Sequence, residues 1–437
     1  MSPLTLTTTQ QTLLQQASRS VVEDYFVSLP QAFRSQKWLL KKNRYRKNCA
    51  LSYTDEIKTG SSHDHTYLTA YVSASALTQV IDGWSYLGRA VDATLRGDSY
   101  AAIHLGYYAE LRAAMGLLAS EGIGILGRHH LIVKGLGSTD VFSTGKGTHV
   151  DIWPMLNYWS TLPRAANLID DLVRPSSIGL SNWLSIGPTP TIPVGAVAQD
   201  WLKSWGLDLA NVDDDHDCRN IVSYRPSEFR RPKYLNVHQQ TAFVEELWQL
   251  FEPGTTQRFP NIARLLVRNA RRDQTKKAPS VTDLQRLGLT KYEALEWITF
   301  LQQKRADDPM PFQLVKKRVP IEDPTCHLRI ISRAALMLFI ASASARHLLT
   351  NAGYSLRDIF FWWGQHGEGR ALWDIGSLQG DPRDIWADIE QAINDSVSWR
   401  AYNPIGNASL RQWRHSQTSA LADFGGFELV GIWALMP

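Results

Sequence analysis

LGYYAELRAAMGLLASEGIGILGRHHLIV, residues 105–133, is the stretch whose reading decides the fold. Leu105, Tyr108, Leu111, Met115 and Leu118 recur at spacings of three and four, so they form one apolar stripe on an α-helix. Asp98 or Ser99 supplies a capping oxygen ahead of that helix, and Gly122 and Gly124 terminate it. The apolar run Leu131-Ile132-Val133 then predicts a brief buried strand or helical turn.

Outward from this segment the same helical period returns. Upstream, Leu14, Val21, Val22, Tyr25 and Phe26 suit one helix from Gln11 to Leu29, ended by Pro30. Another is expected from Tyr71 through Trp84 to Leu95, closed by Arg96-Gly97-Asp98. Downstream, GLGSTDVFSTGKGTH reads as connector, and a helix containing Trp153 to Leu168 carries Pro154 in its first turn. Helical patterns recur at 200–205, 241–251, 262–268, 280–305 and 329–349, with little strand alternation. The predicted fold is therefore mainly α. Two of the helices echo each other in LRAAMGLLASEG and SRAALMLFIASASARHLL, although Ala and Leu recur in any good helix.

A chain of 437 residues, 44% of them hydrophobic, can fill two or three packed domains without staples. The expected division is an N-terminal helical domain over 1–174 and a C-terminal helical domain over 200–437. Between them lies a Pro/Gly/Ser-rich passage, 175–199, in which Trp183 and Ile186 dock on a core. Cys49, Cys218 and Cys326 are odd in number and lack metal-ligand spacing, which fits buried thiols in a reducing compartment. The opening MSPLTLTTTQ has no basic patch before an apolar run, so a cytoplasmic location is expected. The oily run from Ala334 to Ala345 is too short to span a bilayer and predicts a buried helix, with no membrane partner.

The net charge of +4 says little, but its distribution is uneven. Arg34, Lys37, Lys41, Lys42, Arg44, Arg46 and Lys47 are interleaved with Trp38 and Tyr45, a mixture suited to phosphates and stacked bases or to a solvated helix end. Arg264, Arg268, Arg271, Arg272, Lys276 and Lys277 start at helical spacing and predict a second basic stripe. On opposite sides of the molecule the two patches are solubilising surfaces; on one side they bracket an RNA or DNA backbone.

Candidate chemistry begins with His104, Tyr108 and Arg112, four residues apart along one helix edge. Arg112 there either grips phosphate with Tyr108 positioning it or joins an internal ion-pair network. Arg128, His129 and His130 reach that edge if the glycine connector reverses direction. His130 would then be a general base on a ribose 2′-hydroxyl, with Arg112 stabilising the developing negative charge. Lys134, Gly135, Gly137, Gly145, Lys146 and Gly147, running on to His149 and Asp151, offer backbone donors and the Lys146 side chain to an anion or simply form turns, without the order of a P-loop. Asp213, Asp214, Asp215, His216, Asp217 and Cys218 form the most metal-like cluster, but they lack EF-hand spacing and suit an acidic capping loop. No metal and no cofactor are expected. IFFWWGQHGEGRALW carries Phe360, Phe361, Trp362 and Trp363 beside His366, Glu368 and Arg370, and aromatic packing at a contact is its leading explanation.

The segment YYAELRAAMGLLASEGIGILGRHHLI resembles the helical segment of the HEPN-like superfamily over about 30 residues. Tyr107, Tyr108 and Ala109 match its YYA start, and His129 or His130 lies near its later histidine. The resemblance implies a four- or five-helix bundle, frequently a homodimer. Its members include metal-independent ribonucleases, toxin partners, nucleotide-associated or antiviral defence proteins, and members without catalysis. Their late-helix pairing of Arg with His four to six residues on is not supplied here: Arg231 and His238 are the nearest match, interrupted by Pro232, and Arg346 and His347 are adjacent. The expectation is thus a nucleic-acid-associated defence protein, with His130, Arg112 and Tyr108 as catalytic candidates of a metal-independent ribonuclease. Lys41, Lys42, Arg44, Arg46, Arg264, Arg268 and Arg271 would contact RNA or DNA. The alternative is a noncatalytic helical adaptor for protein assembly, and a metal-dependent phosphodiesterase requires the acidic cluster to meet a basic patch.

Overall fold

Side-chain caps start several of the helices. In this computed structural model, which describes residues 5–28, 37–187, 193–205, 235–254, 258–274, 278–317, 323–373 and 381–437, Asp98 accepts the backbone N–H of Ala101 at 2.9 Å. Ser18 likewise caps a new helix and splits the single helix expected near the N-terminus into α1 (Thr8–Gln16) and α2 (Arg19–Val27). There follow α3 (His65–Leu95) and α4 (Ser99–Ser120), then strands β1 (Ile123–Gly124), β2 (His130–Gly135) and β3 (Ser138–Phe142). Next come α5 (Thr148–Ser160), α6 (Pro163–Leu172), α7 (Leu180–Ser185), α8 (Pro260–Gln274), α9 (Lys291–Leu301), α10 (Cys326–Asn351) and α11 (Phe360–Gly369). Further helices join these, Val237–Leu250 and Trp386–Tyr402 among them, and the fold is mainly α, as expected.

The centre is the trio α3, α4 and α10, which pack on one another. Close approach needs a small residue: a Cβ at Gly106 of α4 would stand 2.9 Å from Cγ2 of Ile330 in α10. At that closeness the apolar faces exclude water, and burying each Leu-sized side chain contributes about 2 kcal/mol. The apolar cluster continues from Leu6 to Met436 and takes side chains from both sides of the passage at 175–199. Within that passage Trp183 and Ile186 do dock, Trp183 lying 4.1 Å from Trp297 between ring centroids.

The oily helix is α10, and it alone among the described residues is long and apolar enough to cross a membrane; its apolar window is wholly buried inside the fold. Cys49 and Cys326 are buried thiols, and burial pushes Cys49 up to about 12. Cys218 lies outside the described residues.

Beyond α4, Gly122 adopts φ +83°, and a Cβ there would meet backbone of Ser18 at 2.9 Å, so the turn and its neighbour both require glycine. The turn leads into an antiparallel sheet of order β1-β2-β3, pairing Ile123 with Ile132 and His130 with Phe142. Leu131 to Val133 thus form the expected buried strand. Ser138–Phe142, read from its Gly and Ser as connector, is instead the third strand, because pairing with β2 satisfies its backbone.

At the start of α10 the His327 imidazole is buried, and desolvation pulls its pKa from 6.5 to about 4, against a hydrogen bond with Pro324. The unfolded chain therefore takes up a proton that the folded chain refuses as pH falls below 6.5. Stability should drop between pH 6.5 and 4 by up to ~3 kcal/mol from this group. Urea unfolding at pH 7.5 and pH 5 should show a larger loss in the wild type than in His327→Gln; equal losses would remove His327 from the account.

Candidate nucleic-acid interface

His130 is fully buried, with both ring nitrogens occupied. Nδ1 accepts the Leu126 N–H at 3.1 Å and Nε2 lies 3.0 Å from Asp151 Oδ2, while Thr144 Oγ1 donates to the other carboxylate oxygen. This corrects its reading as a general base: without a free nitrogen or a path to solvent it can take no proton from a ribose hydroxyl. Its role is to pin β2 to α5. His129 is half-buried nearby.

The imidazole that reaches the edge of α4 is His149, from the start of α5. Its Nδ1 lies 3.1 Å from the Tyr107 hydroxyl, and its ring meets Tyr108 edge-on at 5.9 Å. Tyr108 also stacks on Tyr86 of α3 at 5.4 Å and touches His104 at 5.0 Å. Arg112, partly exposed, donates to Gln79 Oε1 at 2.6 Å and stands 3.7 Å from Asp82. His104, Tyr108 and Arg112 do line one edge, joined by His149 rather than His130.

In the second basic stripe Arg264, Arg268 and Arg271 are turned to internal partners. Arg268 is buried and donates to Asp308 at 2.5 Å, with its guanidinium 4.2 Å from the Phe300 ring centroid. Arg271 is buried and donates to the carbonyls of Trp183 and Ile186 at 2.6 and 3.1 Å. Arg264 covers the rings of Trp297 and Phe300 at 4.9 and 4.7 Å. Burial pushes all three pKa values below the usual arginine range. An arginine whose water has been replaced by carbonyls, a carboxylate and aromatic faces has little left for a nucleic-acid backbone.

The glycine-rich loop also spends its donors internally. Lys134 pairs with Asp140 at 2.6 Å, and the N–H groups of Gly145 and Lys146 go to Ser143 and Thr144 side chains. Arg34, the acidic cluster at 213–218, Arg231, Lys276 and Lys277 lie outside the described residues. Among the described residues no group of three or more His, Cys, Asp or Glu side chains is arranged to hold a metal ion.

The first basic patch is divided between exposed and internally paired side chains. Lys41 and Lys42 are exposed, whereas Arg44 pairs with Glu56 at 2.9 Å and Tyr45 is buried, its hydroxyl donating to Glu56 at 2.8 Å. Tyr45 is therefore unavailable for stacking. Trp38 remains partly open and meets α11, with Phe361 at 4.9 Å and Trp362 at 6.0 Å between ring centroids. Together with Lys37, Arg46, Tyr71 and His366 these rings line a groove of 730 Å³. The Trp362 indole N–H is buried without a hydrogen-bond partner.

At the groove's end His366 and Arg370 flank Glu428 at 3.6 and 2.9 Å. Burial alone would raise the Glu428 carboxyl, but these two donors outweigh it and hold it below the usual range. The groove floor is α3, whose Tyr71, Thr78, Gln79, Asp82 and Tyr86 face the same way at helical spacing. That face runs from the Trp38 groove to the Arg112 and Tyr108 edge. Its signal in the sequence is the helical spacing of Tyr71, Thr78, Asp82 and Tyr86, set within the stronger apolar pattern of the same helix. Comparison of the chain with protein-family models, curated proteins and solved structures found no match.

Proposed function

We propose that the protein associates with nucleic acid, holding a single-stranded segment of RNA in the groove between Trp38 and α11. The supporting observation is that Trp38 meets Phe361 and Trp362 beside Lys37 and Arg46, with Lys41 and Lys42 exposed next to them. Aromatic faces accept any base, and the cations follow the backbone. The HEPN-like resemblance adds a setting in antiviral defence and a bundle that pairs as a homodimer or with a defence-system protein. A metal-independent cleavage step, if the protein has one, falls to the histidines of the Arg112 edge, His104 and His149, since His130 is sealed.

Fluorescence anisotropy with a labelled oligouridine tests this reading. Trp38→Ala should lose ~1–3 kcal/mol of binding free energy, the value of one stacked base. Lys41→Gln and Lys42→Gln should each lower the slope of log affinity against log salt by about 0.7. Unchanged affinity in a folded Trp38→Ala protein would sink the groove. No binding by the folded wild type would move weight to the noncatalytic adaptor, with the aromatic groove as its contact. Gels of the same RNA in EDTA separate the remaining cases: intact RNA means binding only, whereas cleavage directs mutagenesis to His104 and His149.

A further inference from the structure

A second cleft, of 380 Å³, opens elsewhere on the molecule between Arg174, Arg258 and Arg346, with Ser342, Phe259 and Phe339 in its walls. Arg346 lies near the end of α10, and the dominant influence on its guanidinium is burial, which pushes its pKa below the usual arginine range. Arg258 donates through Nη2 to the Met436 carbonyl at 3.1 Å, and its Nη1 is buried with no hydrogen-bond partner. Burial and the neighbouring Arg346 both push the Arg258 pKa down, to about 10. Asp171 is the one side-chain carboxylate among the described lining residues, which also include Pro437; Asp381 acts on Arg258 but is itself bonded to Arg383.

Two guanidinium groups drawn out of water toward one cavity repel each other, and each has lost hydration that one lining carboxylate does not replace. An entering dianion relieves both costs, and the planar forks suit phosphate oxygens. Ser342 accepts the Trp84 indole N–H at 2.8 Å and keeps its own hydroxyl hydrogen for a further acceptor. Ser177, which lines the cleft, and its neighbour Ser176 take left-handed φ values of 61° and 54°, uncommon for non-glycine residues. The volume exceeds what a phosphate group fills, and the apolar part of the wall includes the two phenylalanines with Leu172, Ala263 and Ala343.

We propose that this cleft is a binding site for a small organic phosphate, with Arg258 and Arg346 taking the phosphate and Phe259 and Phe339 the organic body. The site is independent of the RNA groove, which lies on other residues.

Isothermal titration of the full chain with inorganic phosphate, ribose 5-phosphate, 5′-AMP and adenosine tests it. At least one ester should bind tenfold or more tightly than inorganic phosphate, and adenosine should not bind. Arg346→Gln should weaken ester binding at least tenfold, while Trp38→Ala leaves it unchanged and so separates the cleft from the groove. Arg258 also anchors Met436, so Arg258→Lys, with melting measured beside it, serves as the second variant and should weaken ester binding without unfolding. Absence of binding by all three phosphates, ester affinity no better than that of phosphate, or full ester affinity in a folded Arg346→Gln protein would overturn the proposal.

Discussion

Replacing Glu110 with alanine should destabilise the fold by ~3–5 kcal/mol. Glu110 lies in the middle of the segment that organises the chain, yet it points inward and is 1% exposed. Its Oε1 accepts from Arg333 Nη2 at 2.7 Å across the contact between α4 and α10. Removing the carboxylate leaves a guanidinium in a nearly dry interior, where desolvation outweighs the Coulomb energy recovered elsewhere. Glu110→Gln, which keeps an acceptor and loses the charge, should cost less. The double variant Glu110→Ala/Arg333→Met should recover much of the loss, because no unpaired charge remains. Urea unfolding of the wild type, Glu110→Ala, Arg333→Met and the double variant closes the cycle, with Glu110→Gln measured beside them. Strict additivity, or a single-variant loss below ~1 kcal/mol, would show that the pair is not a unit.

Asp308→Ala should cost a similar ~3–5 kcal/mol, for a reason that also bears on function. One buried carboxylate serves two guanidinium groups here, Arg268 at 2.5 Å and Arg272 at 2.7 Å. Its loss strands the more deeply buried of them, Arg268, between Phe300 and Gln303. Arg268→Gln should likewise lower the melting temperature while leaving the salt slope of RNA binding by the folded protein unchanged. A phosphate-contacting arginine would do the reverse, lowering the salt slope with little effect on melting. Both readouts on the same variant distinguish the two roles.

The two variants mark where sequence reading succeeds and where it stops. The helix through Leu105 to Leu118, the Asp98 cap and the apolar Leu131 to Val133 depend on neighbours within a few residues and appear in the structure, although α4 is buried nearly all round and Leu105, Tyr108 and Met115 of the expected stripe are only half-buried. Helix ends were less legible. The helices expected as single runs across Gln11–Leu29 and Trp153–Leu168 are broken at Ser18 and before Pro163, where a side-chain cap and a missing N–H start new helices. The echo of Arg-Ala-Ala in α4 and α10 hid opposite fates: Arg112 reaches the surface toward Gln79, and Arg333 goes to Glu110.

Charged and aromatic residues were the least legible, because their energies depend on what covers them. Arg264, Arg268 and Arg271 have the spacing of a solvated basic stripe, and nothing nearby announces that Phe300, Asp308 and the Trp183 carbonyl close over them. His130 and His149 looked alike as histidines beside glycine-rich turns, yet Asp151 seals the first and the second stays at the Tyr108 edge. Trp38 does meet other aromatic rings, edge-on and tilted, but these partners, Phe361 and Trp362, come from the far end of the chain.

The sequence by itself determined a mainly α chain, its principal helices and its buried oily helix, because hydrogen bonds and caps within a helix reach only three or four residues and apolar periodicity records one face at a time. Tertiary structure alone decided which charges are spent in the interior and which face water. Segments distant in sequence set the local solvent exclusion, and that exclusion turns the same arginine or histidine into a structural pin or a binding group.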